Sequence, residues 1–364
     1  MRDSLSGSKE SEAFILAVNQ IFSRLRSRQL SSRNRFLGDF EACCAAANDF
    51  IRLGENCEDV MSDILSSVKV EEKSQEMLDN CLSEVLSLYS QDAMFAAQCC
   101  HLYIFEPIID AVAPNLFGPD WENRMTSNQY AVTLVKTVED FISDLESSLD
   151  KILYIKALTA LVPATVVFYV NCIVAKSDKK RSTKEETFDD PERALTRIAG
   201  DIRILKEFYE DLAAKHHSLS KFIRKEFSAL NAVYECLRCA AHVSSMTATD
   251  AILSLHTHIG DVHLTKRLAG DLWHLIMPTE ERHVWELMEG DDFLELAPEL
   301  PKETKRSARD RITVPGLRLD ILLVRIYKES KRRPPASDRT IDAFEQSLDQ
   351  WAVGLTIEDF ADPG

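Results

Sequence analysis

Apolar residues recur at steps of three and four along most of this chain, which is the spacing that places side chains on one face of an α-helix. The first three stripes of this kind cover 8–26, 36–53 and 58–68. Residues 71–113 predict one long helix or two abutting helices, which end at the breaks of Pro107 and Pro114. We find no convincing pair of strands, so the pattern predicts an all-α fold.

The second half of the chain repeats the pattern with clearer start signals. Ser127 can cap a helix that runs through Leu145. Residues 190–192, Asp-Pro-Glu, combine a capping carboxylate, a proline that needs no amide partner and an acid suited to the helix dipole. Thr247 and Asp250 have the spacing of a capping box. Two narrow apolar seams are predicted, at Leu195, Ile198, Ile202, Leu205, Tyr209 and Leu212, and at Ile223, Phe227, Leu230, Tyr234, Leu237 and Ala241.

Narrow seams pack helices against each other at shallow angles, as in helical bundles. We therefore predict an elongated stack of consecutive antiparallel bundles. Residues 1–114 form an N-terminal bundle, and 115–290 form one or more C-terminal bundles with short helices near 260–272 and 279–289. Residues 291–364 contain a basic, proline-containing loop followed by C-terminal helices.

The break between the two predicted bundles, NLFGPDW at 115–121, is unusually apolar for a surface linker. The ends of stacked bundles expose apolar surface that must be covered. Phe117 and Trp121 are large enough to cover it, so we predict that they pack between the bundles. The alternative is that Trp121 is an ordinary packing residue in the first turn of the next helix.

One segment raises the question of a membrane. Residues 157–175 contain 19 residues without a charge, between Lys156 and Lys176. This length is close to that of a membrane span. However, polar residues and a proline dilute its hydrophobicity, and a helix that is apolar all round can also be the centre of a large bundle. A buried helix is favoured, and a span is the alternative.

The charge of the chain limits its partners. The formal net charge is −16, so a protein that grips nucleic acid over its whole surface is excluded, and we expect no nucleic-acid partner. Two local basic clusters stand out against this charge: Lys176, Lys179, Lys180, Arg181 and Lys184, and Lys328, Lys331, Arg332 and Arg333. For the first cluster a solvated loop between two helices is favoured. The alternative, for both clusters, is a contact with a protein partner or with anionic phosphoinositides, and these residues are the candidates for it.

The densest set of possible metal ligands is His256, His258 and His263 with Asp261. A zinc-protease helix requires two histidines four residues apart, whereas these histidines are spaced by two and five. Histidines at helix ends and in a connecting loop are therefore favoured over a helical metalloenzyme. Phosphate-binding glycine loops and nucleophile motifs are absent from the sequence, so we predict no catalytic residues, no metal and no cofactor.

The nine cysteines include two adjacent pairs, Cys43-Cys44 and Cys99-Cys100. Adjacent cysteines rarely bridge each other, and the count is odd. No signal peptide opens the chain, so we expect reduced thiols in a cytoplasmic protein. Cys43 and Cys44 lie in an apolar helical context, where an inert buried role is favoured over a nucleophile.

The order of several segments resembles one protein family. They are AANDFIRLGENCEDV (46–60), NLF with the following Trp121, TVEDFISDL (137–145), the apolar helix, the basic loop, DIRILKEFYEDL (201–212) and HIGDVHLTKRLAGDL (258–272). Together they are similar to the C-terminal helical domain of the Sec-six type exocyst subunit, the exocyst complex component 3 family. The resemblance covers roughly residues 36–290 and rests on the order of weak motifs, none of which is diagnostic alone.

The resemblance implies a non-enzymatic subunit of the exocyst. Such a subunit binds other exocyst subunits and SNARE proteins, and it helps to dock secretory vesicles to the plasma membrane during exocytosis. It is cytoplasmic and peripheral at sites of secretion. The long N-terminal coiled-coil part of the family has no counterpart here and 291–364 matches poorly, so a fragment, a partial gene model and a shortened relative are all open. A helical scaffold or adaptor outside the exocyst is the alternative function.

Overall fold

The computed structural model describes residues 39–67, 72–123, 127–176, 187–259 and 262–276, with scattered helical positions between 13 and 24. Every regular element in these residues is a helix, which confirms the predicted all-α class. The chain divides into two compact units. The first contains Met1–Glu106 and Asp140–Leu158, and the second contains Pro107–Glu139 and Thr159–Gly364. The predicted stack and its boundaries, 1–114, 115–290 and 291–364, stay predictions.

The helices of the described residues are numbered in chain order. They are α1 (Phe40–Ser67), α2 (Glu72–Ala111), α3 (Pro119–Asn123), α4 (Gln129–Ser148), α5 (Lys151–Lys176), α6 (Pro191–Lys215), a 3-10 turn (His217–Leu219), α7 (Ser220–Ala240), α8 (Ala248–Ile259) and α9 (Val262–Ile276). The predicted segment near 279–289 and all of 291–364 lie outside the described residues.

The first unit begins with a longer helix than expected. Two predicted runs, 36–53 and 58–68, merge into α1, whose first turn is capped by Asp39 through a 2.6 Å bond from the amide of Ala42. On the predicted stripe at 8–26, Val18 is buried, whereas Ile21 is 57% exposed. The stripe is therefore only partly a core face.

Asn48 joins α1 to the turn between α4 and α5. Its Nδ2 donates to the carbonyl of Ser148 at 2.7 Å, and its Oδ1 accepts from the amide of Asp150 at 2.8 Å. Asp150 in turn accepts from the amide of Ile152 in the first turn of α5. The Asn48 amide group thus bonds one carbonyl and one N–H group of the turn between α4 and α5, a hundred residues further along the chain.

The predicted helical run at 71–113 corresponds to one long helix, α2, but the break expected at Pro107 was wrong. The helix continues through Pro107 to Ala111. A proline inside a helix removes one backbone hydrogen bond, which costs about 3 kcal/mol. Phe105 and Ile108, on either side of the proline in the sequence, are both buried, and burial of such side chains offsets the lost bond.

The start signals in the second unit are largely confirmed. Asp190 caps α6 by accepting from the amide of Arg193 at 3.1 Å, with Pro191 in the first turn. Thr247 Oγ1 accepts from the amide of Asp250 and starts α8. The start expected at Ser127 was wrong by one position, because α4 begins at Gln129 and its first backbone bond runs to the carbonyl of Asn128.

The helices α6 and α7 form a hairpin joined by the 3-10 turn, and α7 also packs against α8 and α9. All six seam residues predicted for α6 are buried. On α7, four of the predicted positions are buried, Tyr234 is half-buried and Ala241 lies just beyond the end of the helix. The seams therefore lie between the helices, as their spacing indicates.

The apolar segment 157–175 lies within α5. Of the described helices, α5 is the one long and apolar enough to cross a membrane, yet 67% of its most apolar window is buried inside the protein. In the second unit its buried positions include Leu161, Val166 and Phe168. The structure therefore supports the favoured interpretation, a buried core helix.

We predict that Val166→Asp lowers the free energy of unfolding by at least about 3 kcal/mol, because Val166 is 4% exposed and a new carboxylate there has no partner. Ile152→Asp on the same helix is the matched control, since Ile152 is 69% exposed. Urea denaturation of both variants measures the difference. Equal stabilities would show that this part of α5 is not core.

Candidate functional site

The apolar break of the sequence forms an aromatic cluster in the second unit. Its members are Phe117, Trp121, Tyr169 and Phe188, all of them buried. The ring centroid of Phe117 lies 4.9 Å from that of Trp121, 5.2 Å from that of Tyr169 and 6.4 Å from that of Phe188, in edge-to-face arrangements. Such arrangements are favourable beyond the area that the rings bury.

Phe117 enters this cluster from an unusual backbone conformation. Its φ is 66°, in the left-handed region that bulky side chains avoid at a cost of roughly 1–2 kcal/mol. The next residue, Gly118, lies so close to the carbonyl oxygen of Asn115 that a Cβ would be only 3.1 Å from it. A larger residue at 118 would therefore require a small shift of this turn, and burial of the Phe117 ring offsets the strain at 117.

A polar network of Asn128, Tyr169 and Asp201 adjoins the cluster. The buried Asp201 carboxyl group accepts from Asn128 Nδ2 at 2.7 Å and from the Tyr169 hydroxyl at 2.8 Å. Burial raises the pKa of Asp201 to about 6, while these donors lower it. Trp121 Nε1 makes no hydrogen bond of standard geometry within the described residues, but it lies close enough to lower the same pKa.

Gly200 provides the space that this network needs. A Cβ at Gly200 would lie 2.8–3.0 Å from three atoms of the Asn128 amide group. That amide also donates to the carbonyl of Arg197 at 2.7 Å, so it is held against α6 at two points. A glycine inside a helix costs roughly 1 kcal/mol relative to alanine. Because Gly200 has no side chain, Asn128 at the start of α4 can pack directly against α6.

The short helix α3 contacts the start of α6 through charged groups. The Glu122 side chain is buried and accepts from the amide of Asp190 at 2.7 Å. Burial raises the pKa of Glu122, whereas this amide and the nearby Lys176 oppose the rise. Asn123 also contacts Asp189 and Arg193. The segment 115–123 is thus fixed both by aromatic packing and by polar contacts with the start of α6.

The structure describes three of the predicted site residues. Phe117 and Trp121 belong to the aromatic cluster, and their predicted role between bundles stays a prediction. The Lys176 ammonium group lies 5.0 Å from the centre of the Phe188 ring, so this lysine contacts the aromatic cluster. The remaining basic residues lie outside the described residues; they are Lys179, Lys180, Arg181, Lys184, Lys328, Lys331, Arg332 and Arg333.

The two histidines of α8 have different surroundings. His256 is buried and contacts the hydroxyl of Thr265 at 3.1 Å, whereas His258 is exposed and contacts Ser228 at 3.4 Å. The side chains of Asp261 and His263 lie outside the described residues. Within the part of the chain that the structure describes, no group of three His, Cys, Asp or Glu side chains could hold a metal ion.

The described cysteines are all buried. Cys44 Sγ lies 3.6 Å from Cys100 Sγ between α1 and α2. Cys236 and Cys239 have a CxxC spacing on α7 that the sequence analysis overlooked. Burial raises the pKa of Cys236 to about 12 and also raises the pKa of Cys239, so neither forms a thiolate readily near neutral pH.

Sequence reasoning also missed the polar network, although two signals indicated it. Asp201 lies three residues after Ile198 and four before Leu205, on the apolar face of α6, where an acid must be buried. Gly200 interrupts an otherwise strong helix pattern beside it. The partners of Asp201 come from α4 and α5, and nothing in the sequence pairs them with it.

The family described as exocyst complex component Sec6 matches residues 6–254, more than half of the 364 residues. The matched region includes α1 to α7, the aromatic cluster and the polar network. No curated protein and no solved structure matches the chain.

We predict that Gly200→Ala destabilises the protein by about 1–2 kcal/mol, because the methyl group displaces Asn128 from its two acceptors. In an Asn128→Ala background the space is free, so Gly200→Ala should instead stabilise α6 by up to about 1 kcal/mol. A double-mutant cycle in urea tests this reversal of sign. If Gly200→Ala raised the stability in both backgrounds, Asn128 would not occupy this space.

The raised pKa of Asp201 predicts a pH dependence of stability. The folded protein holds a proton on Asp201 up to about pH 6, whereas the ordinary pKa is 3.8, so stability falls as the pH rises through this window. The stability advantage of the native chain over Asp201→Asn should therefore shrink by on the order of 1–3 kcal/mol between about pH 4 and pH 7. Urea denaturation at each pH measures it. A constant or growing advantage would contradict the burial of the charge.

Proposed function

Because the chain belongs to the Sec6 family of exocyst components, we propose that it is a non-enzymatic subunit of the exocyst, the complex that tethers secretory vesicles. The match over residues 6–254 carries this proposal. The helical architecture supports it, because a scaffold subunit acts through extended helical surfaces. The two centres described above, the aromatic cluster and the polar network, are buried and serve to hold helices together.

Within the family, we assign the chain to exocyst complex component 3. Its proposed partners are the other exocyst subunits and SNARE proteins, and its proposed place is the cytoplasmic side of the plasma membrane at sites of secretion. The exposed faces of the helices are charged; on α6, for example, Arg203 and Lys206 pair with acids one turn further on. An acidic protein with such faces suits basic or amphipathic partner helices.

The basic residues between α5 and α6 are the proposed membrane contact of this subunit. Lys179, Lys180, Arg181 and Lys184 follow Lys176, and a second cluster occupies 328–333. Each basic residue near an anionic bilayer contributes about 1 kcal/mol of attraction, so such clusters support weak, salt-sensitive binding. This contact would place the subunit at phosphoinositide-containing membrane without inserting it.

The test is affinity capture of the tagged full chain from its native cell, followed by identification of co-purifying proteins. We predict that several other exocyst subunits are recovered with the native chain and equally with Ile152→Asp. Val166→Asp should recover few, because its second unit is destabilised. Their repeated absence from the native sample would contradict the proposal and favour a helical adaptor outside the exocyst.

A further inference from the structure

The connection between α6 and α7 contains basic residues and no acidic ones. No acidic residue occurs between Leu212 and Lys225, although the chain has 59 acidic and 43 basic residues. We call residues 214–225 the hairpin tip. Its basic and aromatic side chains are Lys215, His216, His217, Lys221, Phe222, Arg224 and Lys225.

The hairpin tip is held by two buried anchors and is otherwise open to solvent. Leu219 and Ile223 are buried and fix the tip to the helices beneath. The four Lys and Arg side chains are exposed, and the ring of Phe222 between them is 40% exposed. The surface is therefore fixed by its own core and does not need a ligand to form.

Internal interactions do not account for this charge. Within the described residues, the ion pair of the hairpin tip is Lys225 with Glu226, at 3.6 Å. Lys221 lies in the first turn of α7, at the positive end of its dipole, and this turn has no acid and no side-chain cap. Positive charges are unfavourable there. Their presence is thus better explained by an external anion than by the stability of the helix.

His258, near the end of α8, lies beside the hairpin tip and contacts Ser228 on α7 at 3.4 Å. Burial, and to a smaller degree Lys225, lower the pKa of His258. The imidazole therefore adds no positive charge near neutral pH, and the basic surface is the hairpin tip itself.

We propose that the hairpin tip binds an anionic lipid bilayer, with lipid phosphates against Lys221, Arg224 and Lys225 and the Phe222 ring in the interfacial layer. Exposed cations beside an aromatic ring are typical of segments that lie on a bilayer, where headgroups supply the charge and the acyl boundary accepts the ring. An acidic peptide supplies the charge but not that broad apolar layer. This proposal goes beyond the tethering role, because it assigns a contact to residues other than the basic cluster at 176–184.

The experiment is flotation of the full chain with phosphatidylcholine vesicles, with and without phosphatidylserine. We expect the native chain to float only with the anionic vesicles, and less so at high salt. Lys221→Glu with Arg224→Glu should lower the partition coefficient at least about tenfold, and Phe222→Ser should lower it about threefold. The matched control is Lys136→Glu with Lys156→Glu, which makes the same change in net charge at exposed sites and should retain binding within about twofold.

Three outcomes would overturn the proposal: undiminished binding by the tip variant, equal loss in the control, or no binding by the native chain. Alanine at 179–181 is run in parallel. Loss of binding in that variant alone would assign the contact to residues 179–181 and overturn the proposal. The tip variant should still recover exocyst subunits in affinity capture. Loss of lipid binding with retained capture therefore separates this proposal from the proposed function.

Discussion

The burial of one carboxyl group, Asp201, is the constraint on which the second unit depends. A carboxylate removed from water is stable only with donors around it, and the start of α4 and the middle of α5 supply them through Asn128 and Tyr169. Since these donors approach at hydrogen-bond distance, α6 must leave room for them. Gly200 does so at the expense of helix propensity. One buried charge thus fixes three helices relative to one another.

The aromatic cluster beside this network stabilises the tight turn between α2 and α3. The chain must leave α2, turn and begin α3 within a few residues, and the turn requires Phe117 in a left-handed conformation. A glycine would adopt this conformation without strain, but it would leave a cavity among three aromatic rings. Packing therefore outweighs backbone preference at this position. The buried Glu122 then ties α3 to the amide that precedes α6.

The titratable residues of these buried centres have structural partners. Asp201, Glu122 and the thiols of α7 have raised pKa values because they are buried, and the two carboxyl groups are occupied by structural donors. What the protein presents to partners is its exterior: charged helix faces and the basic hairpin tip. This division between a rigid interior and a charged exterior is what a tethering subunit requires, since it must hold its shape while several surfaces are engaged.

The sequence by itself determined the all-α class, the seams of α6 and α7, and the caps at Asp190 and Thr247, because these depend on contacts within a few residues. The order of several weak motifs along the chain also indicated the family. Only the tertiary structure decided that α2 continues through Pro107 and that Asp201 meets Asn128. At Pro107, packing outweighs the local preference of proline to end a helix. At Asp201, the spacing on α6 indicates burial, but its partner lies 73 residues away and nothing local in the sequence identifies it.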